Sequence, residues 1–299
     1  MGKALADQFA SARAVFEEVD AALGQKLSDL IWNGPEAELT LTENAQPALM
    51  AVSIAVLRTL ETENGIAVGA TASYVAGHSL GEYSALAAAR TFSVTDTARL
   101  LRIRGRAMQA ATPVGTGAMA ALLGLDFAAA AGVAAEAAQG EVCQAANDNS
   151  DGQVVISGHK AAVERALEIA KTKGAKRAIL LPVSAPFHCV LMQPAADAMA
   201  EALEKAELNV PVVPVVANVL AAPITDPVDI RRRLVEQVTG TVRWRECVNT
   251  MSALGVSTFV ELGSGKVLTG LAKKNAPEAR AFAIGTPEDV VAAASQLKG

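Results

Sequence analysis

Apolar residues recur at every third or fourth position over 4–23, and again over 45–62 behind Asn44 and an early Pro47, so two amphipathic helices are predicted at the start. The period then changes. Ser73-Tyr74-Val75-Ala76 is a short apolar run that meets Gly77-His78-Ser79-Leu80-Gly81 and passes into helix-prone residues 82–90, the order of a strand, a tight turn and a helix. Between 115 and 183 the pattern predicts strand 118–125, helix 127–139, strands 142–146 and 153–157, helix 161–173 and strand 177–182. That βαββαβ order is ferredoxin-like, and it reads as a small subdomain (115–183) inserted into a larger body made of 1–114 and 184–299. The body resumes with a buried strand at 212–217, helices at 229–237 and 246–254, and strand 258–262 running into Gly263-Ser264-Gly265. Strands alternating with helices give an α/β class with a mostly parallel sheet covered on both faces.

Composition narrows the function classes. Of 299 residues 51% are hydrophobic and 19% charged, enough to bury a large core. Net charge is −5 and no basic run is interleaved with aromatics, which argues against a nucleic-acid groove. Local basic clusters at Arg231, Arg232 and Arg233, at Arg102, Arg104 and Arg106, and at Lys171, Lys173, Lys176 and Arg177 could serve an anionic partner, although a solvated helix face is the plainer account of each. Cys143, Cys189 and Cys247 are odd in number and far apart, with no CxxC pair and no histidine at metal spacing. They point to neither a disulfide framework nor a metal site, and to a reducing, cytoplasmic compartment. The first helix carries acids and Arg13 where a signal peptide would be continuously apolar, and no uncharged apolar run reaches membrane-spanning length.

The sharpest chemical signal is the G-x-S-x-G elbow at 77–81 in its strand–turn–helix setting. Such a turn crowds backbone on backbone, so a β-carbon at either glycine is expected to clash. Ser79 would stand at the N-terminus of the next helix, where free N–H groups and the helix dipole favour developing negative charge. A serine hydroxyl needs a positioned base, and the chain has three histidines. His78 adjoins Ser79, and the elbow should turn it toward packing or a hydrogen bond nearby. His159, in Gly158-His159-Lys160, reads as a solvated turn residue. His188 follows Ala185-Pro186-Phe187 at the end of a predicted strand, where the loops of an α/β sheet gather, and is the expected base.

Five segments extend this picture: GHSLGEYSAL at 77–86, GTGAMAA at 115–121, NDNSDGQVVISG at 147–158, APFH at 185–188 and ELGSGKVLTGL at 261–271. In order, through nearly the whole chain, they resemble the malonyl-CoA:acyl carrier protein transacylases, acyltransferases of fatty-acid and polyketide synthesis. The resemblance implies an α/β-hydrolase-like body and a ping-pong transfer. Ser79 attacks the malonyl thioester, His188 takes its proton and returns it to the departing coenzyme A thiol, and the carrier's phosphopantetheine thiol then removes the malonyl group. It further implies that the Leu80 N–H serves the oxyanion, that the main-chain carbonyl of Gln237 orients His188 in place of a carboxylate, and that Arg104 holds the malonyl carboxylate. A planar guanidinium suits that task because it offers two parallel hydrogen bonds. Phe187 matches the position that narrows the pocket against a branched unit, Met119 and Leu80 would line the same pocket, and Asn147 and Asn149 fall in a polar loop beside it. Core packing for Met119, turn formation for the two asparagines, a polar helix position for Gln237 and a surface helix position for Arg104, better suited to Arg102 or Arg106, remain as plainer readings. The expected partners are malonyl-CoA and acyl carrier protein, with no cofactor, metal, nucleic acid or membrane, and the expected working unit is a monomer.

Two departures stand out. Gly263-Ser264-Gly265-Lys266 is no phosphate loop, since Val267 stands where Ser or Thr should follow the lysine; the family usually has Pro at the position of Ser264. The family also opens with a short strand and a Gly-Gln-Gly-Ser-Gln loop that supplies a second oxyanion N–H, whereas this sequence begins at Met1-Gly2-Lys3. The expectation is a natural start upstream, or else an impaired form, since one lost oxyanion donor costs on the order of 10²–10³ in rate. Two alternatives compete with the transferase: a serine thioesterase or esterase built on the same elbow, and a non-catalytic assembly domain.

Overall fold

The structure, a computed structural model, describes residues 1–183 and 185–297. The inner face of the body is the 23-residue helix Thr42–Asn64, in which Ala48, Met50, Ala51, Val52, Ile54, Ala55, Val56, Leu57 and Leu60 are all buried. A helix so widely apolar belongs inside, and Ala10–Leu23, Val94–Ala110 and Leu80–Ala88 pack around it. It starts at Thr42, ahead of the expected Asn44, whose side-chain amide instead donates to the Glu38 carbonyl at 2.8 Å. The helix predicted over 4–23 is broken into Lys3–Gln8 and Ala10–Leu23 by an extended Phe9 (φ −119°, ψ 123°), which packs against the core.

The small unit has the expected topology. Strands β1 (Gly117–Leu123), β2 (Cys143–Ser150), β3 (Gln153–His159) and β4 (Arg177–Leu180) form an antiparallel sheet in the order β2-β3-β1-β4. Helices Phe127–Ala138 and Lys160–Thr172 cover it, burying Leu122, Val133, Ile156 and Val163 among alanines small enough to let helix and sheet approach closely. Asn147 and Asn149 lie within β2, which overturns the loop placement: the strand continues to Ser150 through irregularities at 145/147 and 148/150. Such bulges keep the pairing while re-aiming side chains.

In the body, β5 (Val215–Ala217) pairs antiparallel with β6 (Ala222–Ile224), and β7 (Thr258–Leu262) pairs parallel with β8 (Arg280–Ile284). The strand predicted over 73–76 contributes one parallel bridge, Val75 to Val215, with the Val75 N–H on the Pro214 carbonyl and the Val216 N–H on the Val75 carbonyl. The sheet is thus in short pieces, and helices do much of the burying. The helices Gln193–Lys205 and Pro287–Leu297 and strands β6 and β8 add to the predicted elements. The β2 edge docks on the body: the Asp148 N–H donates to the Val242 carbonyl and the Val242 N–H to the Ala146 carbonyl, both at 2.9 Å, and buried Asp148 pairs with Arg245 at 2.8 Å. This seam follows directly on helix Pro227–Thr239, which carries Gln237.

Candidate active site

The elbow is tight for a specific reason. A β-carbon at Gly77 would sit 1.9 Å from the Gly81 carbonyl oxygen, so only glycine allows the strand to pass the helix start. Gly81 meets nothing within 4 Å, so the expected clash on both sides is real at Gly77 alone. Between them Ser79 adopts φ 53° and ψ −112°, a backbone conformation that costs energy and that the surroundings must impose. Asn218, just past β5, imposes it: its Oδ1 accepts the Ser79 N–H at 2.8 Å and its Nδ2 donates to the Gly77 carbonyl at 2.9 Å. Leu80 opens helix Leu80–Ala88, and its N–H has no hydrogen-bond partner among the described residues, as befits a first-turn donor.

Ser79 Oγ lies 2.8 Å from His188 Nε2, and His188 Nδ1 lies 2.9 Å from the main-chain oxygen of Gln237. The carbonyl can only accept, so Nδ1 carries the proton and Nε2 is left to accept from the serine. Burial pushes the His188 imidazole down to about 3, the positive charge of Arg104 adds to this, and the Gln237 carbonyl opposes it. His188 itself sits at φ 58°, a second strained residue in the site.

Arg104 is 1% exposed, so the surface-helix reading fails. Gly105 explains its position: a β-carbon there would lie 2.5 Å from the Glu43 Cα, so this glycine lets Val94–Ala110 close on Thr42–Asn64. Arg104 Nη2 donates to Ser79 Oγ at 3.1 Å and to Gln237 Oε1 at 2.8 Å, Nη1 donates to Gln46 Oε1 at 2.8 Å, and the guanidinium lies 5.7 Å from the Tyr83 ring centre. Those oxygens are all neutral. Of its neighbours, Arg106 is exposed as expected, but Arg102 is buried beside Glu43.

Gln237 does more than lend its carbonyl. Fully buried, its Nε2 donates to Glu82 Oε2 at 2.8 Å and to the Ser79 carbonyl at 3.0 Å, while its Oε1 accepts from Arg104. Glu82 Oε2 also accepts the Asn218 N–H at 3.0 Å. Burial raises the Glu82 carboxyl to about 7, against the pull of the Asn218 and Gln237 donors and of Arg104. Sequence reasoning missed Gln46, Glu82 and Asn218. Their only signal was a polar residue at an apolar-facing position, which helix propensity and turn chemistry explain equally well.

His78 Nε2 is 2.8 Å from Asn149 Oδ1 and its ring centre 5.7 Å from that of Trp244, a supporting position beside the elbow. His159 closes β3 and accepts the Val142 N–H on Nδ1 at 2.9 Å, so it is no free turn residue. Met119 is buried with Ala146 and Val155, and Phe187 packs on that cluster and on the main core, which Leu80 also touches. Asn147 is buried in β2, opposite Val155 and bridged to Val242.

Comparison with known proteins decides the family. A profile of the acyl transferase domain matches residues 1–286. The chain belongs to the acyl transferase family. The malonyl CoA-acyl carrier protein transacylase of Bacillus subtilis is 47% identical over 299 residues, covering 100% of this chain and 93% of that one. The acyl-carrier-protein-S-malonyltransferase from Bartonella henselae superposes with a TM-score of 0.97 at 58% identity, covering 100% and 95% of the two chains. A malonyl-transacylase solved with its type II PKS acyl-carrier protein gives 0.95 at 42% identity, covering 99% and 94%. Among the described residues of this acyl transferase no helix is long and apolar enough to cross a membrane, no group of three His, Cys, Asp or Glu could hold a metal ion, and the three cysteines are free and buried.

Proposed function

We infer that the chain transfers a malonyl group from malonyl-CoA to the phosphopantetheine thiol of acyl carrier protein, in fatty-acid biosynthesis, through a malonyl-serine intermediate. The observation that carries this reading is the shared position of Ser79 Oγ, 2.8 Å from His188 Nε2 and 3.1 Å from Arg104 Nη2. As Ser79 attacks the thioester carbon, His188 Nε2 takes its proton, and the new oxyanion lies at the helix N-terminus, where the Leu80 N–H donates. Collapse expels the coenzyme A sulfur, which leaves with the proton from His188. The carrier's thiol then gives its proton to His188, attacks the ester and returns the oxygen to Ser79 as a hydroxyl. A thioester enters and a thioester leaves, so the balance requires no cofactor.

Arg104 supplies the selectivity. A buried guanidinium whose direct partners are all neutral gains most from an acyl group bearing its own carboxylate. Phe187, with Met119 and Leu80, forms the apolar side of the acyl pocket, and Asn147 and Asn149 its polar side. Residues 1–114 with 184–299 act as the catalytic body and 115–183 as an inserted unit, supported by the separate apolar core of the latter; position 184 and residues 298–299 lie outside the described residues. The proposed working unit is a monomer, and the free thiols suit the cytoplasm. Intact-protein mass spectrometry tests the reading. Malonyl-CoA should add one malonyl group that Ser79→Ala abolishes, and acyl carrier protein should remove it. Rapid release of free malonate without carrier would mean a hydrolase, and no adduct a non-catalytic domain.

A further inference from the structure

A buried acid beneath the elbow plays no part in the transfer steps. Glu82 lies on the buried face of helix Leu80–Ala88, three residues after the nucleophile, and is 1% exposed. Its Oε2 accepts two hydrogen bonds from opposite sides of the site, the Asn218 backbone N–H at 3.0 Å and the Gln237 Nε2 at 2.8 Å. Each donor belongs to a residue that touches the reacting groups. Asn218 grips the elbow at Gly77 and at Ser79, and Gln237 grips His188 through its carbonyl and Arg104 through its Oε1.

An amide has two chemically opposite ends. With Nε2 drawn to a carboxylate, Oε1 is forced toward Arg104, where it accepts from Nη2. Without an acceptor at residue 82, Nε2 would keep the Ser79 carbonyl as its main partner, and a rotated amide would turn its N–H groups on the guanidinium and push it away. We propose that Glu82 is a positioning residue for malonyl selection: its carboxylate oxygen locks the Gln237 amide, which in turn holds the Arg104 guanidinium where the substrate carboxylate will lie. The proposal rests on the reading of Arg104 as the carboxylate holder. Glu82 itself touches no substrate and is not a catalytic residue.

The test compares Glu82→Ala, Glu82→Met and Glu82→Gln with wild type and Arg104→Ala, reading kcat/KM for malonyl-CoA and for acetyl-CoA on the intact protein with carrier. Loss of the acceptor in Glu82→Ala or Glu82→Met should lower the malonyl-to-acetyl ratio at least tenfold, chiefly through KM for malonyl-CoA. Glu82→Gln, whose side-chain oxygen can accept the same two hydrogen bonds, should rescue the ratio to within about threefold of wild type. A merely structural role would lower both substrates together and leave the ratio unchanged, which would overturn the proposal. Loss of the ratio in a folded Glu82→Gln would overturn it as well, and that variant decides the matter where the apolar ones do not fold. A ratio unmoved by Arg104→Ala would instead sink the reading of Arg104 on which the proposal rests.

Discussion

On the proposed mechanism, acylation of Ser79 should persist far into acid, because burial holds its proposed base, His188, neutral. An ordinary histidine titrates near 6.5, so at pH 5.5 only about 9% of it would be free base and a reaction needing that base would slow about tenfold. Burial beside Arg104 pushes His188 down to about 3, which leaves essentially all of the imidazole free at pH 5.5. A value one unit higher still leaves about 97%. The assay is rapid-quench acylation with labelled malonyl-CoA from pH 5 to 8, with circular dichroism at each pH confirming that the protein remains folded. The expected result is an acylation rate that falls less than about twofold between pH 7 and 5.5. One other group can imitate a histidine in this window: Glu82, raised to about 7. The profile is therefore repeated in Glu82→Gln. A tenfold acid loss with a midpoint near 6.5, unchanged in that variant, would refute the neutral buried base; a midpoint that disappears with the substitution belongs to Glu82.

Three further outcomes follow from the same geometry. Arg104→Ala should abolish the preference for malonyl over acetyl groups in a labelling assay, since nothing else at the site offers a fork to a carboxylate. Gly77→Ala should cost more than about 3 kcal/mol in chemical denaturation, because a methyl 1.9 Å from the Gly81 oxygen must displace backbone, whereas Gly81→Ala, in open space on a helix, should be neutral or stabilising by up to about 1 kcal/mol. Glu82→Gln should stabilise the protein more at pH 8 than at pH 5. The raised Glu82 pKa means that the native state holds a proton the unfolded chain gives up near 4.5, so wild type loses stability as pH rises from 4.5 through 7, by about 3 kcal/mol in all. Thermal midpoints of the two proteins at both pH values measure this.

What the sequence showed and hid follows from the range of the forces involved. The small unit was legible because its strands and helices alternate in period over consecutive residues, and its pairing closes within 117–180. The elbow was legible because a glycine is needed at 77 whatever lies around it. The break at Phe9 was not, because nothing local forces it. The two strands of the body nearest Ser79 were legible as the apolar runs 73–76 and 212–217, but they shrink to a bridge at Val75 and a three-residue strand at Val215–Ala217, because runs this short leave no period to set their length. Gln46, Asn218 and Glu82 escaped for the opposite reason: their partners lie 58, 139 and 155 positions away in the chain, and an amide or acid on a helix or in a turn looks the same whether it faces water or a buried site.

The use of a main-chain carbonyl against His188 has a consequence for which acyl group the site accepts. A carboxylate at that position would raise the imidazole pKa and add a buried negative charge at the residue position whose side chain already accepts from Arg104. That charge would offset part of the guanidinium's pull on an incoming carboxylate. The carbonyl orients the imidazole equally well and brings no charge, while the buried acid Glu82 is kept an amide away from Arg104 behind Gln237. The unloaded site therefore contains a buried cation whose direct partners are neutral, a costly arrangement that an incoming carboxylate relieves and an acetyl group does not. On the proposed reading, selectivity for an acid-bearing acyl group and the low basicity of His188, which burial sets first, are both served by a neutral carbonyl as the third member of the catalytic hydrogen-bond chain.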